Sequence, residues 1–385
     1  MTLRENFDAI MNYKQTGKMP VWFFGSWPET KKRWLDEGLK PETTMFLNGG
    51  SGGPQLDFMD TDWETSPGWN GNIWNNQGIL SPQPISGKLD EVLEETDDHR
   101  IVRTALGGVR QDSKGGESIS HFREYDLKPT REDWERFKQF LNPDDPARWS
   151  EDWESRAEQL NHREHVTCCL GGSLFGWLRN WMGVEALSYL PYDEPELYAE
   201  MIDFMTDYFI RLNTKLLDKV QFDFAYIFED CCFSNGPLIS PDLYREFYHE
   251  NYVRLIAALR EKGVKWILLD SDGYIEDLLP LWLESGFDII FPIEVGTWKA
   301  DPVALRKQYG KRLRMMGGIN KHVIRQGEAA IREELEALRP LVAEGGYIPL
   351  PDHRIPPDVS LAQMKEYVRL FGDVFSLESV TPVTP

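Results

Sequence analysis

Acidic side chains follow three of the apolar segments in the second half of the chain. These acids are Glu229, Asp230, Asp270, Asp272 and Glu294. A carboxylate at the end of a buried segment is costly to desolvate unless it is protonated, paired or bound to a cation. If several of them converge, the residue types predict a metal site or general acid/base chemistry.

His353 is the histidine that best complements this acidic set, because it follows the last apolar segment in a loop bracketed by Pro351 and Pro356. An imidazole can bind a metal or move a proton near neutral pH. The predicted catalytic residues are His353, Asp270, Glu229 and Asp230. The predicted metal ligands are Asp270, Asp272 and His353. Taken singly, Asp272 could instead cap a helix, and His353 could be a surface loop residue.

The apolar segments that precede these residues have the composition of strands buried on both faces. Stretches with helical periodicity separate them, which is typical of βα units and a parallel sheet. The predicted strands are Pro20–Phe24, Val166–Leu170, Phe224–Phe228, Lys265–Leu269, Ile289–Pro292, Leu313–Met316 and Tyr347–Leu350. In a β/α barrel the carboxyl ends of the strands share one face, so the acids and His353 would meet there.

Helix punctuation supports this order of elements. Pro195 opens a long amphipathic stretch, while Ser240-Pro241 and Asp301-Pro302 each read as an N-cap followed by proline at the first helical position. Gly286 and Gly310 fit the ends of two helices, the first of them predicted for Tyr274–Ser285.

The pattern predicts an α/β protein built as a single (β/α)8 barrel, with a doubly wound sheet as the alternative. A doubly wound sheet usually carries a nucleotide loop, but Gly171–Gly176 lacks the GxGxxG spacing, so no nucleotide cofactor is expected. We expect the barrel over residues 1–375, with an irregular, loop-rich insertion at about 48–100 and a loose tail at 376–385. A further possible strand, Ile101–Leu106, follows the insertion. The turn-rich connection Pro143–Trp149 is the best candidate for a boundary within the domain.

The composition disfavours several classes of partner. The chain has 63 acidic and 42 basic residues and a formal net charge of −21, which argues against nucleic acids and anionic membrane surfaces. Neither an apolar leader nor an apolar run of about 20 residues occurs, so we expect a cytoplasmic protein outside the membrane. The cysteines form two adjacent pairs, Cys168-Cys169 and Cys231-Cys232, a spacing that disfavours disulfides. For Cys231 and Cys232, burial is favoured over a role as thiol ligands.

Several motifs, in their order and spacing, resemble the uroporphyrinogen decarboxylase superfamily, which includes that decarboxylase and the cobalamin-dependent methyltransferases. They are Gly171–Phe175, Glu229-Asp230 with Asn235–Pro241, Asp270–Gly273, Gly317–Ile319, Gly345–Ile348 and Asp352–Pro357. The resemblance covers most of the chain and is strongest from Val166 onward. It implies an eight-stranded β/α barrel, and it suggests a homodimer.

The resemblance points away from the decarboxylase reaction. True decarboxylases carry an arginine-containing run after the first strand, whereas this chain has Phe24–Glu29, without arginine. The methyltransferases bind zinc through His-x-Cys and a later Cys, but here these places are taken by Asp270-Ser271-Asp272 and His353. The resemblance therefore implies zinc or a harder divalent cation with oxygen ligands, and a corrinoid on a partner protein.

The residues predicted to line the substrate pocket are Trp27, Trp177, Arg179, Asn180, Glu294 and Asn320. Helix packing is the alternative for Trp177. We expect a corrinoid-linked methyltransferase or O-demethylase that acts on a small methylated substrate. The alternatives are a decarboxylase of a porphyrinogen or a smaller carboxylic acid, and a barrel that binds a small molecule without catalysis.

Overall fold

The computed structural model describes residues 2–14, 19–23, 25–39, 55–56, 79–114, 120–164 and 166–375. In chain order its strands are β1 (Trp22–Phe23), β2 (Gln55–Leu56), β3 (Glu91–Glu95), β4 (His99–Arg103), β5 (Val109–Ser113), β6 (His121–Glu124), β7 (Cys168–Gly172), β8 (Phe224–Phe228), β9 (Cys232–Phe233), β10 (Gly236–Pro237), β11 (Trp266–Asp270), β12 (Ile289–Ile293), β13 (Arg314–Ile319) and β14 (Tyr347–Pro351).

Its α-helices are α1 (Leu3–Met11), α2 (Pro28–Asp36), α3 (Arg131–Phe137), α4 (Trp153–Asn161), α5 (Gly176–Met182), α6 (Val184–Asp193), α7 (Pro195–Leu217), α8 (Pro241–Leu243), α9 (His249–Glu261), α10 (Leu279–Ser285), α11 (Val295–Trp298), α12 (Pro302–Tyr309), α13 (Glu328–Glu344) and α14 (Leu361–Val374). Short 3₁₀ turns cover Lys138–Leu141, Pro146–Arg148, Gly310–Arg312 and Lys321–Gln326, and Tyr244–Tyr248 is π-helical.

The main sheet has six parallel strands in the order β7-β8-β11-β12-β13-β14. Each of these strands lies beside the next parallel strand along the chain, so the order never reverses. A doubly wound sheet requires such a reversal, and this alternative is therefore wrong. The sequential order is that of a β/α barrel wall.

The first strand lies beside the last. A parallel bridge joins Ser26 to Ile355, and the Ile355 N–H donates to the Gly25 carbonyl at 2.8 Å. This contact places β1 next to β14 and continues the wall. Within the part of the chain that the structure describes, the sheet does not close into a complete ring.

The predicted elements agree well with the structure in the second half. Phe224–Phe228 is a strand with the predicted bounds, and the other five predicted strands from Val166 onward shift by two residues or fewer at the start and by up to three at the end. Ser240 and Asp301 cap their helices through side-chain oxygens, and Gly286 ends its helix in the left-handed conformation. The helix predicted from Tyr274 begins only at Leu279.

Helices cover the main sheet with one apolar stripe each. In α7 the stripe includes Leu197, Met201, Met205, Leu212 and Leu216, all of which are buried. Full burial of one such side chain contributes about 1.5–3 kcal/mol, so the stripe fixes the helix against the strands. The core thereby holds the carboxyl ends of the strands in one place.

A separate antiparallel sheet, β3-β4-β5-β6, lies at residues 91–124. The sequence indicates only part of β4, through the predicted segment Ile101–Leu106. The edge strand β3 reads Glu-Val-Leu-Glu-Glu and is exposed along its length, so it carries no apolar alternation that would reveal it. Much of the insertion predicted at about 48–100, including the segment from Trp63 to Trp74, lies outside the described residues, as does Phe24. No helix in the described ranges is long and apolar enough to cross a membrane.

Candidate active site

The carboxyl ends of β8, β11, β12 and β14 form one edge of the sheet, which we call the mouth. Asp270 ends β11, in register with Phe228 of β8 and Phe291 of β12. The backbone N–H groups of Glu229 and Asp230 both donate to the Asp270 carbonyl, at 2.9 and 3.1 Å. The turns that follow β8 and β11 are thus joined directly at the mouth.

Two acids and the histidine meet at the centre of the mouth. One ligand atom from each of Asp272, Glu294 and His353 lies within 4.8 Å of the other two, and we call these three residues the ligand cluster. His353 Nε2 lies 3.4 Å from Asp272 Oδ2. The other oxygen, Asp272 Oδ1, is buried and accepts no hydrogen bond in the described part of the chain. A buried carboxylate oxygen without a donor is an available metal ligand.

Glu294 is held in place by two hydrogen bonds. The Gly273 N–H donates to one carboxylate oxygen at 2.6 Å, and the Thr297 hydroxyl donates to the other at 2.7 Å. Burial, and then the charge of Asp272, raise the pKa of the Glu294 carboxyl. Glu294 was predicted to bind substrate, and the structure places it among the groups that could hold a cation.

Gly273 makes the tight turn between these acids possible. Its φ of +87° lies in the left-handed region, and a Cβ atom there would come within 2.5 Å of the Cys232 carbonyl oxygen. Because glycine has no side chain, the backbone can approach β9 closely and still aim its N–H at Glu294.

Asp270 lies next to the ligand cluster but is not part of it. Its carboxylate is buried and accepts a hydrogen bond from the Tyr226 hydroxyl at 2.5 Å. Burial raises the pKa of Asp270 well above its ordinary value, and the charge of Asp272 adds to this. The predicted ligand set was Asp270, Asp272 and His353, whereas the structure groups Glu294 with the latter two.

Asp230 and Arg179 form an ion pair at the rim of the mouth. Arg179 Nη1 lies 2.7 Å from Asp230 Oδ2 and also donates to the Asp230 carbonyl at 2.5 Å. Burial raises the pKa of Asp230 although the guanidinium opposes it, and Asp272 raises it further. Arg179 also donates to Asn180 at 3.1 Å, so all three of these predicted site residues are adjacent.

Glu229 serves as an anchor for the neighbouring helix. Its buried carboxylate accepts hydrogen bonds from the N–H groups of Leu174, Phe175 and Gly176, at 2.7, 2.7 and 3.0 Å, and from the Tyr252 hydroxyl. These N–H groups lie at the start of α5, which favours a negative charge. Burial nevertheless raises the pKa of Glu229. With four donors around it, this carboxylate positions α5 rather than facing the mouth.

Trp27 lies beside His353 through the contact between β1 and the loop after β14. The two ring centroids are 6.0 Å apart, and the Arg354 guanidinium lies 5.0 Å from the Trp27 ring on the same loop. The Ser26–Ile355 bridge is what brings these side chains together. Trp27 was predicted to wall the substrate pocket, and its place beside a ligand-cluster residue suits that role.

Trp177 and Asn320 were predicted to line the substrate pocket, but their contacts serve packing and capping. Trp177 is buried between Trp181 and Phe209, with ring centroids 5.4 and 5.2 Å away. Asn320 caps the 3₁₀ turn after β13, where its side-chain oxygen accepts from the His322 N–H at 3.0 Å. The contacts shown for these two residues are therefore those of packing and capping.

Asp352 ties three loops together and was not predicted as a site residue. Its buried carboxylate accepts from the Gly296 N–H at 2.6 Å and from the Lys321 N–H at 3.0 Å. The loops after β12 and β13 are therefore fastened to the residue that precedes His353. Its adjacency to His353 in the sequence was the available signal for this role.

The four cysteines are buried and free. Burial raises the pKa of the Cys169 thiol to about 12, and the pKa of Cys231 is raised well above its ordinary value by its hydrogen bond with Cys232 and by burial. Thiols that stay protonated are poor metal ligands and nucleophiles. The burial predicted for Cys231 and Cys232 is confirmed.

A sequence model of the family "Uroporphyrinogen decarboxylase (URO-D)" matches residues 175–373, which is just over half of the chain. The protein therefore belongs to the uroporphyrinogen decarboxylase family, and the predicted α/β barrel fold of that family is confirmed. Its fold is similar to that of a methyltransferase from Methanosarcina mazei, with a TM-score of 0.57 and 14% sequence identity over 98% of this chain and 100% of the other. No curated protein sequence matches the chain.

Proposed function

We propose that the protein is an enzyme that removes a methyl group from a small methylated compound, as an O-demethylase does, and transfers it to a corrinoid carried by a separate protein. The observation that carries the proposal is the ligand cluster at the mouth of a barrel of this family. The shared fold with a methyltransferase supports the same reading.

The ligand cluster fits a divalent cation. It offers two carboxylates and one imidazole, a donor set suited to zinc or to a harder cation, and the buried Asp272 oxygen lacks any other partner among the described residues. A cation held there would act as a Lewis acid on the oxygen that loses the methyl group. The buried thiols of Cys231 and Cys232 do not contribute soft ligands.

The surrounding residues orient these ligands and pass on a proton. Asp272 and Trp27 hold the His353 ring, while Gly273 and Thr297 hold Glu294. Asp230 lies close enough to Asp272 and His353 for their charges to act on its pKa, and burial raises that pKa. When the carbon–oxygen bond breaks, the methyl group passes to the corrinoid, the electron pair stays on oxygen, and solvent supplies the proton; the raised pKa of Asp230 suits this carboxyl to pass the proton on.

The test uses the purified, zinc-supplemented protein with reduced cobalamin and a panel of methoxylated and methylated compounds. We expect the absorbance of methylcobalamin to appear with at least one donor, and to be lost in His353→Ala. Asp218→Asn, an exposed site paired with Lys262, is the matched control and should retain activity.

Absence of methylcobalamin with every donor, in a protein that is folded and binds metal, would contradict the proposal. Release of carbon dioxide from uroporphyrinogen or a smaller acid in the same preparation would replace it with the decarboxylase alternative. Tight binding of a donor without any product, unchanged in Asp272→Asn, would favour the non-catalytic barrel.

A further inference from the structure

Arg354 places a guanidinium at the edge of the mouth. It follows His353 directly, and its side chain is half-buried against the Trp27 ring, 5.0 Å from the ring centroid. Burial lowers the pKa of Arg354, and the nearby charge of Asp272 opposes that shift. An arginine stacked on an aromatic ring is held in one orientation, with its N–H groups left free to donate.

Arg354 is half-buried and donates no hydrogen bond within the described ranges, unlike the fully buried arginines of those ranges. Arg148 donates to four backbone carbonyls, Arg306 to three, and Arg163 to the carboxylate of Asp223 and to a carbonyl. Among the described residues, the acid whose charge raises the pKa of Arg354 is Asp272, which belongs to the ligand cluster. None of its nitrogen atoms is among the buried, unpartnered side-chain atoms of the described residues, so the Arg354 guanidinium remains accessible to an anionic ligand.

We infer that Arg354 binds a carboxylate of the substrate, and that the methyl donor is a methylated carboxylic acid of about one aromatic ring in size. A guanidinium and a carboxylate form two parallel N–H···O bonds, a geometry that lysine cannot reproduce. His353 and Arg354 lie within 6.0 and 5.0 Å of the same indole ring, so one ring-sized molecule reaches both. This inference rests on the proposed function, because it assigns the opposite end of the donor to the ligand cluster.

The test measures binding, so it does not depend on turnover. Calorimetric titration of the zinc-supplemented protein compares the ortho, meta and para methoxybenzoates with the matching methoxybenzamides, which are neutral and nearly isosteric. We expect at least one acid to bind at least about tenfold more tightly than its amide. A tenfold difference in Kd is about the size expected for one charge-assisted hydrogen bond.

Variants of Arg354 identify the group responsible. Arg354→Gln should remove the preference for the acid and leave binding of the amide unchanged, while Arg354→Lys should restore only part of it. Arg245→Gln, an exposed arginine paired with Glu284, is the control and should bind like the wild type. Thermal unfolding of each variant checks that the fold is retained.

Failure of every acid to bind more tightly than its amide, or a preference that survives in Arg354→Gln, overturns the inference. The proposed function fails separately, if an acid binds through Arg354 but methylcobalamin never forms. In the converse case, methylcobalamin formed from a methoxylated acid with equal efficiency by wild type and Arg354→Gln would retain the function and refute the carboxylate site.

Discussion

His353 Nε2 lies 3.4 Å from Asp272 Oδ2, while the other oxygen of the same carboxylate has no hydrogen-bond donor in the part of the chain that the structure describes. The two residues come from the loops after β14 and β11, on opposite sides of β12 and β13 in the sheet order. Asp272 therefore contacts the imidazole with one oxygen, while its other oxygen has no partner among the described residues and is available to a ligand. Glu294, from the loop after β12, completes the group.

This relationship predicts which acids bind a metal. We expect the wild type to bind one divalent cation, and Asp272→Asn and Glu294→Gln to weaken binding by at least about tenfold, since each removes an oxygen ligand. Asp270→Asn should stay within a few-fold of the wild type, because that carboxylate is engaged by Tyr226. Zinc titration by calorimetry, with Asp218→Asn as control, makes the comparison. A larger loss in Asp270→Asn than in Glu294→Gln would favour the ligand set predicted from sequence.

The crowded acids predict a dependence of stability on pH in the metal-free protein. Folding raises the pKa values of Asp230, Asp270 and Glu294, so it favours their protonated forms. The stability that this provides is complete below the ordinary carboxyl pKa of about 4 and is lost as the pH rises through the raised values. Urea unfolding at a series of pH values should therefore show the metal-free protein weakening above about pH 4.

Removal of the Asp272 charge should flatten this dependence, because that charge raises all three pKa values. We expect metal-free Asp272→Asn to be more stable than the wild type at neutral pH by about 1 kcal/mol, the equivalent of less than one pKa unit. Zinc should stabilise the wild type and not the variant. Identical pH profiles for the two metal-free proteins would show that the acids do not interact as described.

Glu229→Gln tests whether this residue positions α5 or takes part in chemistry. The amide would turn an NH₂ group toward donors that now meet a carboxylate oxygen, so at least one buried hydrogen bond would be lost. We expect a loss of about 1–3 kcal/mol in the free energy of unfolding, with zinc affinity unchanged. Equilibrium unfolding in urea gives the first quantity and calorimetry the second. An unchanged unfolding free energy together with lost methyl transfer would instead assign Glu229 to the reaction.

Gly273→Ala tests how closely the turn after β11 is fitted. The added Cβ would meet the Cys232 carbonyl oxygen at 2.5 Å, and φ would be strained at +87°. The turn must shift, and the N–H that holds Glu294 would shift with it. We expect at least about a tenfold loss of zinc affinity, as for other groups that orient metal ligands. Gly263→Ala, also at positive φ but with open space around it, controls for backbone strain alone. Equal losses in both variants would refute the argument from close approach.

The location of the site could be predicted from the sequence, because apolar strands followed by acids carry their own signal. Phe224–Phe228 shows this most clearly, since its strand bounds are those observed and Asp230 lies at the mouth. The direction in which each acid points depends on contacts between strands. Glu229 accepts hydrogen bonds from the start of α5, and Asp270 accepts one from Tyr226. Neither partner can be recognised from the residues that flank Glu229 or Asp270 in the sequence.

Other features of the fold and the site could not be predicted from the sequence, because they too depend on contacts between distant segments or lack a local pattern. The edge strand β3 has exposed charges where a strand signal would be apolar alternation. The position of Arg354 against Trp27 depends on the pairing of β1 with the loop after β14, which joins segments far apart in sequence. Thr297 and Asp352 lie within three residues of Glu294 and His353, so proximity in sequence was a usable but unspecific sign of their roles.

The bridge between Ser26 and Ile355 also has a consequence for synthesis. On the ribosome, Trp27 emerges long before the loop that contains His353 and Arg354, because the neighbouring contact between Thr30 and Ile355 spans 325 residues of sequence. The segment around Trp27 therefore remains without this partner until that loop has been synthesised, and such long-range pairing is slow to form. A nascent chain released before that loop has emerged would contain Asp272 and Glu294 but lack the imidazole of His353, so its ligand cluster would be incomplete.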